Sequence, residues 1–392
     1  MIASDDWDDP RVGAAKAPRK LAQALERAGH QVDLVFNGDL IYHPRNERLR
    51  YLVAPWYALA TVRRRWRERG PYDVIDIASS EGWLVFLAHR LGAFRGAAMV
   101  ARTHGLEHIY YRELVADHRA GLLSKPWWRR IWYPAVKLTQ LAASFRLADR
   151  AILLNQRSRA LVLDRRWKSA QQISLIAHGV DAARWASAPL PAAPRQARAL
   201  FSGNWHLGKG TAYLAQAHRL LLARGMAIPL TLLGGGTDYP QAEIERYVRS
   251  SFAPESQPWL TVVERLTDED DVFEFYRNCQ FLVCPSTAEG FGMVVFEAMS
   301  QRMPVIASRS VGAADRLSDG VNALLVPPRN TPALADAMAR LWHDPALRQS
   351  LGESGHAFVH AYTWEHAASE TVAAYEAACR ATAVDTARDG GG

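Results

Sequence analysis

Short apolar runs alternate with amphipathic helical stretches along almost the whole chain, and the alternation restarts once. A strand that is apolar on both faces needs helices on both, so this pattern folds as parallel sheets wrapped in helices. In the first half, Lys16–Gly29 places Leu21, Ala24, Leu25 and Ala28 on one helical face and stops at Gly29. Strands are expected at Val32–Phe36, Val74–Ile77, Ala98–Ala101 and Arg150–Leu154. Residues 181–198 are rich in Ala and Pro, including Pro189, Pro191 and Pro194, and suit a linker. Beyond them the strands Ala199–Ser202, Leu230–Leu233, Leu260–Val263, Phe281–Cys284, Pro304–Ala307 and Ala323–Val326 alternate with further helices.

The expected fold class is α/β, with two Rossmann-like domains facing each other across a cleft. The 392 residues are long for one core and comfortable for two. Residues 1–182 form the first domain, completed by a C-terminal helix at 364–380. Residues 183–198 link it to a second domain at 199–362, and 381–392 are read as a disordered tail. In such a pair, ligands bind where loops leave the carboxyl ends of the strands.

Charge is uneven along the chain. Residues 1–180 carry +12, so the rest carry −5 of the net +7. A basic half suggests an anionic partner. No zinc finger, RNA-recognition signature or lysine-rich tail supports nucleic acid. The basic residues are mostly arginines mixed with aromatics, as in Trp127-Trp128-Arg129-Arg130-Ile131-Trp132-Tyr133. That mixture suits either an anionic membrane surface or a helix face packed within its own domain. No uninterrupted apolar run reaches the roughly 18 residues of a spanning helix, and Met1-Ile2-Ala3-Ser4-Asp5-Asp6 lacks the regions of a secretion signal. Three cysteines (Cys279, Cys284, Cys379) without metal-ligand spacing fit a reducing compartment. The expectation is a cytoplasmic protein, peripheral on the inner face of the cell membrane, with no metal and no resident cofactor.

The densest chemical signal is Pro285-Ser286-Thr287-Ala288-Glu289-Gly290-Phe291-Gly292-Met293, followed by Glu297. A strand runs into a polar loop, two glycines bracket Phe291, and a helix opens near Met293. The glycines allow close backbone approach and the helix start favours phosphate. Glu289 can reach sugar hydroxyls at the mouth of the helix, and Glu297, more than a turn inside, can reach a ribose along its flank. Lys209, between Gly208 and Gly210, reads as a phosphate-binding lysine rather than a plain solvated one.

This arrangement resembles the retaining GT-B glycosyltransferases of group 1, or family 4, whose signature is two glutamates with seven residues between them. The resemblance implies that Glu289 binds the transferred sugar, that Glu297 binds the nucleotide ribose, and that Gly290, Phe291 and Gly292 present amides to the donor. It extends along most of the chain. Asn204 and Lys209 fall in the first donor-domain loop, where an arginine is common at the position of Asn204. Gly234-Gly235-Gly236 resembles the next glycine turn, with Gly235 assigned to the donor. Arg265 and Leu266 fall where family members line the nucleobase pocket, although Arg265 could instead pair with Glu264 or Asp268. His104, with Gly105, resembles the active-site histidine near the donor sugar, and Tyr362-Thr363-Trp364 the point where the last helix crosses back to the first domain. Of the opening loop only Val12-Gly13-Ala14-Ala15 and Lys16 match, and little of the buried first strand is seen at Met1-Ile2-Ala3-Ser4.

The resemblance implies a retaining hexosyltransferase. It would move a sugar from a UDP- or GDP-sugar to an acceptor hydroxyl on a lipid-linked saccharide or surface polysaccharide precursor. His104, Lys209 and Glu289 are the catalytic candidates. The alternatives are a nucleotide-sugar epimerase of the same fold and a catalytically inactive sugar- or nucleotide-binding protein.

Overall fold

Two six-stranded sheets, all of whose pairings are parallel, organise the chain in the computed structural model, which describes residues 1–3, 13–36, 47–122, 127–181, 195–234 and 241–389. The chain divides into two units, one of residues 1–112, 123–177 and 364–392, the other of residues 113–122 and 178–363.

In the first unit the strands are β1 (Ile2–Ala3), β2 (Val35–Phe36), β3 (Val74–Ala78), β4 (Ala98–Arg102), β5 (Arg150–Leu153) and β6 (Ile173–Leu175). Their order across the sheet is β2-β1-β3-β4-β5-β6. Strand β4 is buried along its whole length, which is why Ala98-Met99-Val100-Ala101 shows no polar alternation. Phe86 and Phe145, from helices Trp83–Arg90 and Thr139–Leu147, are fully buried in this core. Each such ring stabilises the unit by about 1.5–3 kcal/mol. The last helix, Trp364–Asp389, belongs here too. Its Tyr375 hydroxyl donates to Asp76 Oδ2 at 2.6 Å, and the Arg102 guanidinium donates to the same oxygen at 2.9 Å.

Several segments depart from the sequence-based expectation. Of the strand expected at Val32–Phe36, only Val35–Phe36 is in the sheet, because its partner β1 begins to pair at Ile2, opposite Val35. The opening residues do contribute a strand: Ile2 pairs with Val35 on one side and Ile77 on the other. The first helix begins at Gly13, ahead of Lys16. The tail expected to be disordered from 381 is helical as far as Asp389, since Ala381, Ala383 and Ala387 are strong helix formers placed directly after a packed helix. Most of the expected linker, residues 182–194, lies outside the described residues, and the next strand starts at Gln196.

In the second unit the strands are β7 (Gln196–Ser202), β8 (Leu230–Leu233), β9 (Leu260–Val263), β10 (Cys279–Cys284), β11 (Val305–Ser308) and β12 (Leu324–Val326). Their order, β12-β11-β10-β7-β8-β9, reverses direction between β7 and β10. The core on one side gathers Phe281, Leu230, Leu214 and Met338, all at most 1% exposed. In an open parallel sheet the loops leaving two neighbours at such a reversal diverge to opposite faces and leave a crevice between them. Here those are the loops after β7 and β10.

Candidate functional site

The loop after β7 ends at Gly210 and opens helix Thr211–Ala223, while the loop after β10 ends at Gly292 and opens helix Met293–Ser300. Strands β7 and β10 are hydrogen-bonded neighbours, so the two loops start side by side. Gly208 ties them together: its carbonyl accepts from the Thr287 amide at 2.9 Å and from the Ala288 amide at 3.3 Å.

This knot brings Lys209 to Glu289. Lys209 Nζ donates to Glu289 Oε2 at 2.5 Å, and Ser286 Oγ donates to the same oxygen at 3.2 Å. The two side chains are 25% and 15% exposed, sheltered yet reachable. Burial opposes the ammonium, but the charge and hydrogen bond of Glu289 outweigh it and hold the Lys209 pKa above its ordinary value. At neutral pH Lys209 is therefore a fixed cation.

The loop is strung along a second segment. The Gly312 amide donates to the Glu289 carbonyl at 3.2 Å, the Ala313 amide to the Phe291 carbonyl at 2.7 Å, and the Ser310 hydroxyl to the Ser286 carbonyl at 2.6 Å. Gly292 has φ +87°, and a Cβ there would lie 2.5 Å from Val311 Cγ1. Phe291 turns inward: it is 3% exposed and meets His178 and Phe296 edge-on at 5.3 and 4.9 Å. What Gly290, Phe291 and Gly292 can offer a ligand is thus backbone, next to the positive end of a helix.

Glu297 stands in that helix, half-buried, and Tyr276 OH donates to its Oε2 at 3.1 Å. Ser202 Oγ lies 3.3 Å from the same phenol. Burial first, then the charge of Glu297, pushes the Tyr276 pKa well above its usual value, so the phenol stays a donor. Sequence reasoning missed Tyr276 as a site residue. Its signal is faint: helix Glu269–Asn278 buries Phe273 and Tyr276, three residues apart on one face.

Arg265, in the segment after β9, donates to Asn204 Oδ1 in the loop after β7. Asp268, one of the partners considered from sequence, is instead the N-cap of helix Glu269–Asn278, accepting from the Asp270 amide at 2.8 Å. The Arg265 guanidinium is therefore held against Asn204 in the loop after β7. Leu266 follows it, half-buried. Gly235 lies outside the described residues.

Gly13 and His104 belong to the first unit, and all the other described candidates to the second. Gly13 is the first residue of helix Gly13–Arg27. His104 follows β4 in a tight turn: the Gly105 amide donates to Thr103 Oγ1 at 3.0 Å, and a Cβ on Gly105 would meet the Tyr110 ring at 2.6 Å. Burial, and then the Arg102 charge, draw the His104 pKa down to about 4, so the ring is neutral at pH 7. Among the described residues, no group of three or more His, Cys, Asp or Glu is placed to hold a metal ion, and no helix is long and apolar enough to cross a membrane.

Residues 13–184 match the family described as Glycosyltransferase Family 4, and residues 196–344 match Glycosyl transferases group 1. The chain belongs to this glycosyltransferase family. Over 96 residues it is 43% identical to an uncharacterized glycosyltransferase of Methanocaldococcus jannaschii, covering 24% of this chain and 27% of that one. Over 152 residues it is 30% identical to the D-inositol 3-phosphate glycosyltransferase of Kribbella flavida, covering 39% of this chain and 35% of that one. The aligned stretches thus span about a third or less of those two relatives' own lengths. The sucrose-phosphate synthase from Thermosynechococcus elongatus has the same GT-B fold, with a TM-score of 0.72 and 24% identity over 93% of each chain.

Proposed function

We propose that this family 4 chain is a retaining glycosyltransferase that moves a hexosyl group from a UDP- or GDP-sugar to an acceptor hydroxyl. One observation carries the reading: Lys209 and Glu289, from loops after neighbouring strands, meet beside the start of helix Met293–Ser300. In glycosyl transfer the barrier lies largely in releasing the diphosphate as positive charge grows at the anomeric carbon. A fixed cation and a helix N-terminus would stabilise that leaving group. With a donor bound, Lys209 exchanges part of its bond to Glu289 for a phosphate oxygen, and Glu289 orients the sugar hydroxyls. Arg265, held on Asn204, provides the second positive charge. Glu297, oriented by Tyr276, takes the ribose hydroxyls. Both Lys209 and Ser286 bond to one oxygen of Glu289, which suits an orienting carboxylate rather than a covalent nucleophile. Retention then comes from attack on the face the diphosphate leaves, with the departing phosphate taking the acceptor proton. His104, neutral at pH 7, is assigned to the substrate side of the first unit.

For the acceptor we propose a lipid-linked saccharide or a surface polysaccharide precursor, reached at an anionic membrane surface. On helix Glu47–Arg69 Leu49, Leu52 and Trp56 are exposed, and so is Ile131 on helix Trp127–Tyr133. Tyr51 stacks on Trp132 at 6.1 Å, which joins the two helices, so part of the aromatic segment packs internally and part faces out. Sedimentation with anionic vesicles at low and high salt tests this surface.

The reading as a whole is tested by thermal shift with a panel of nucleoside diphosphates and their sugars, because a ligand of the folded state raises its melting temperature. A uridine- or guanosine-selective shift is expected, lost in Glu297→Ala. No shift with any nucleotide at millimolar concentration would refute the donor site.

A further inference from the structure

Lys209 and Glu289 stand in the loops that leave the carboxyl ends of β7 and β10. At the amino end of the same strand pair, Arg195 immediately precedes β7. Its hydrogen-bond acceptors among the described residues are all main-chain carbonyls, and they come from the ends of two helices. Nη1 donates to the carbonyls of Tyr276, Arg277 and Cys279 at 2.5, 2.7 and 3.1 Å. Nη2 donates to the Gln301 carbonyl at 2.8 Å.

Tyr276 and Arg277 lie in the last turn of helix Glu269–Asn278, and Cys279 is its C-cap. Gln301 is the C-cap of helix Met293–Ser300. The last carbonyls of a helix have no partner within it and carry the negative end of its dipole, so one cation between two such ends satisfies both. Burial draws the Arg195 pKa down to about 10, which leaves the guanidinium charged at neutral pH. The second helix end is tied further: Arg277 Nη1 donates to Gln301 Oε1 at 3.4 Å, and Ser300 Oγ donates to the Glu297 carbonyl at 2.6 Å.

These are the two helices that bring Tyr276 to Glu297. Tyr276 has its carbonyl on Arg195 and its phenol on Glu297 Oε2, at 3.1 Å. Glu297 lies one turn before Gln301, whose carbonyl is on the same guanidinium. A hydrogen bond is lost by roughly 3.6 Å, so a slip of about half an ångström between the helices would end the phenol–carboxylate bond. A guanidinium can hold both ends because its donors sit on separate nitrogens in a rigid plane. Lysine and glutamine have a single donor nitrogen and cannot.

We propose that Arg195 is a positioning residue for ribose recognition, a clamp that holds the two helix ends at the spacing at which Tyr276 aims Glu297. The proposal rests on the assignment of Glu297 to the nucleotide ribose. It adds that discrimination of the ribose hydroxyls is set from the start of β7, by a residue that does not itself touch the ligand.

The test is calorimetric binding of UDP and GDP, each beside its dideoxy counterpart. The chains compared are the parent, Glu297→Ala, Arg195→Lys, Arg195→Gln, Tyr276→Phe, and Tyr276→Phe combined with Arg195→Lys. The parent should prefer the ribose form. Arg195→Lys and Arg195→Gln should each lower that preference by about tenfold, the worth of one hydrogen bond to a charged group, with dideoxy binding unchanged. In the Tyr276→Phe background Arg195→Lys should lower it no further, because the bond it acts through is already gone. A ratio of two affinities is read from the folded chains alone, so it survives some loss of stability, and two substitutions are made in case one does not fold. Equal weakening of ribose and dideoxy forms would overturn the clamp, as would an additive loss in the Tyr276→Phe background, and either result leaves the ribose role of Glu297 standing. A parent with no preference, or a preference that persists in Glu297→Ala, would overturn that role and the clamp with it.

Discussion

Gly210 passes so close to Pro285 that a Cβ on Gly210 would sit 2.0 Å from the Pro285 carbonyl oxygen. Its φ is +74°, so an alanine there meets both an unfavourable backbone and a backbone clash. Gly225 separates the two effects, having φ +76° with nothing within 4 Å of its Cβ position. Gly225→Ala should cost about 1–2 kcal/mol from conformation alone. Gly210→Ala should cost on the order of 2 kcal/mol more and lose nucleotide binding, because the two site loops can no longer close. Urea unfolding of both variants reads the difference, and equal costs would mean that this contact does not lock the loops.

Lys209→Ala removes the cation beside Glu289. If it stabilises a departing diphosphate, turnover should fall by roughly 10²–10³-fold. Because the pair is largely sheltered and Glu289 would lose its cation, stability should fall as well, by about 1–3 kcal/mol. Steady-state transfer and thermal melting are measured on the same preparation. A variant that melts like the parent and transfers sugar at the parent rate leaves Lys209 without a catalytic role.

The parts of the site that sequence made legible are those whose determinants are local. A strand, a glycine-bracketed loop and a helix start fall within Cys284–Glu297, and Lys209 sits among glycines at the same kind of junction. Backbone preference alone constrains such segments, and the alternation of apolar runs constrains the sheets. The remainder depends on pairing between distant segments. Tyr276 reaches Glu297 because two helices pack, and Arg265 reaches Asn204 because β8 puts the segment after β9 near the loop after β7. The length of β2 is set by where β1 starts rather than by the apolar run Val32–Phe36. The final helix runs past its expected end because local propensity there is stronger than the fraying expected of a terminus.

The Arg265–Asn204 contact yields a compensation test. If Arg265 supplies the positive charge that Asn204 does not, Arg265→Ala should weaken nucleoside-diphosphate binding by about 10-fold or more, the range of one charge-assisted hydrogen bond. Asn204→Arg placed in that background should recover most of the loss. Isothermal titration with UDP and GDP measures both steps. If the double variant binds no better than Arg265→Ala, the guanidinium does not serve the phosphates from this position.

Tyr276→Phe deletes the phenol that orients Glu297 while keeping the ring in the core. Its buried hydroxyl has two neighbours, Glu297 and Ser202, so a stability loss of about 1–2 kcal/mol is expected. Beyond that, the nucleoside diphosphate should bind more weakly and the same compound lacking ribose hydroxyls should bind unchanged. Equal weakening for both would show that Tyr276 acts on the fold and not through Glu297.

His104 and His108 give the chain an acid-sensitive window. Their pKa values are drawn from 6.5 down to about 4, in both cases by burial first, then by Arg102 for His104 and by Arg165 for His108. Well above pH 6.5 both rings are neutral in the folded and unfolded chains, so pH does not act through them there. Below it the unfolded chain takes up protons that the folded chain refuses until about pH 4, and stability falls as pH falls through that interval. Urea midpoints between pH 7.5 and 4.5 should decline in the parent. They should decline less steeply in His104→Gln, by up to one bound proton, and less again when His108→Gln is added. Parallel slopes in all three chains would mean that these imidazoles accept protons in the folded protein as readily as in the unfolded one, and that His104 does not meet substrate as a neutral ring in mildly acid solution.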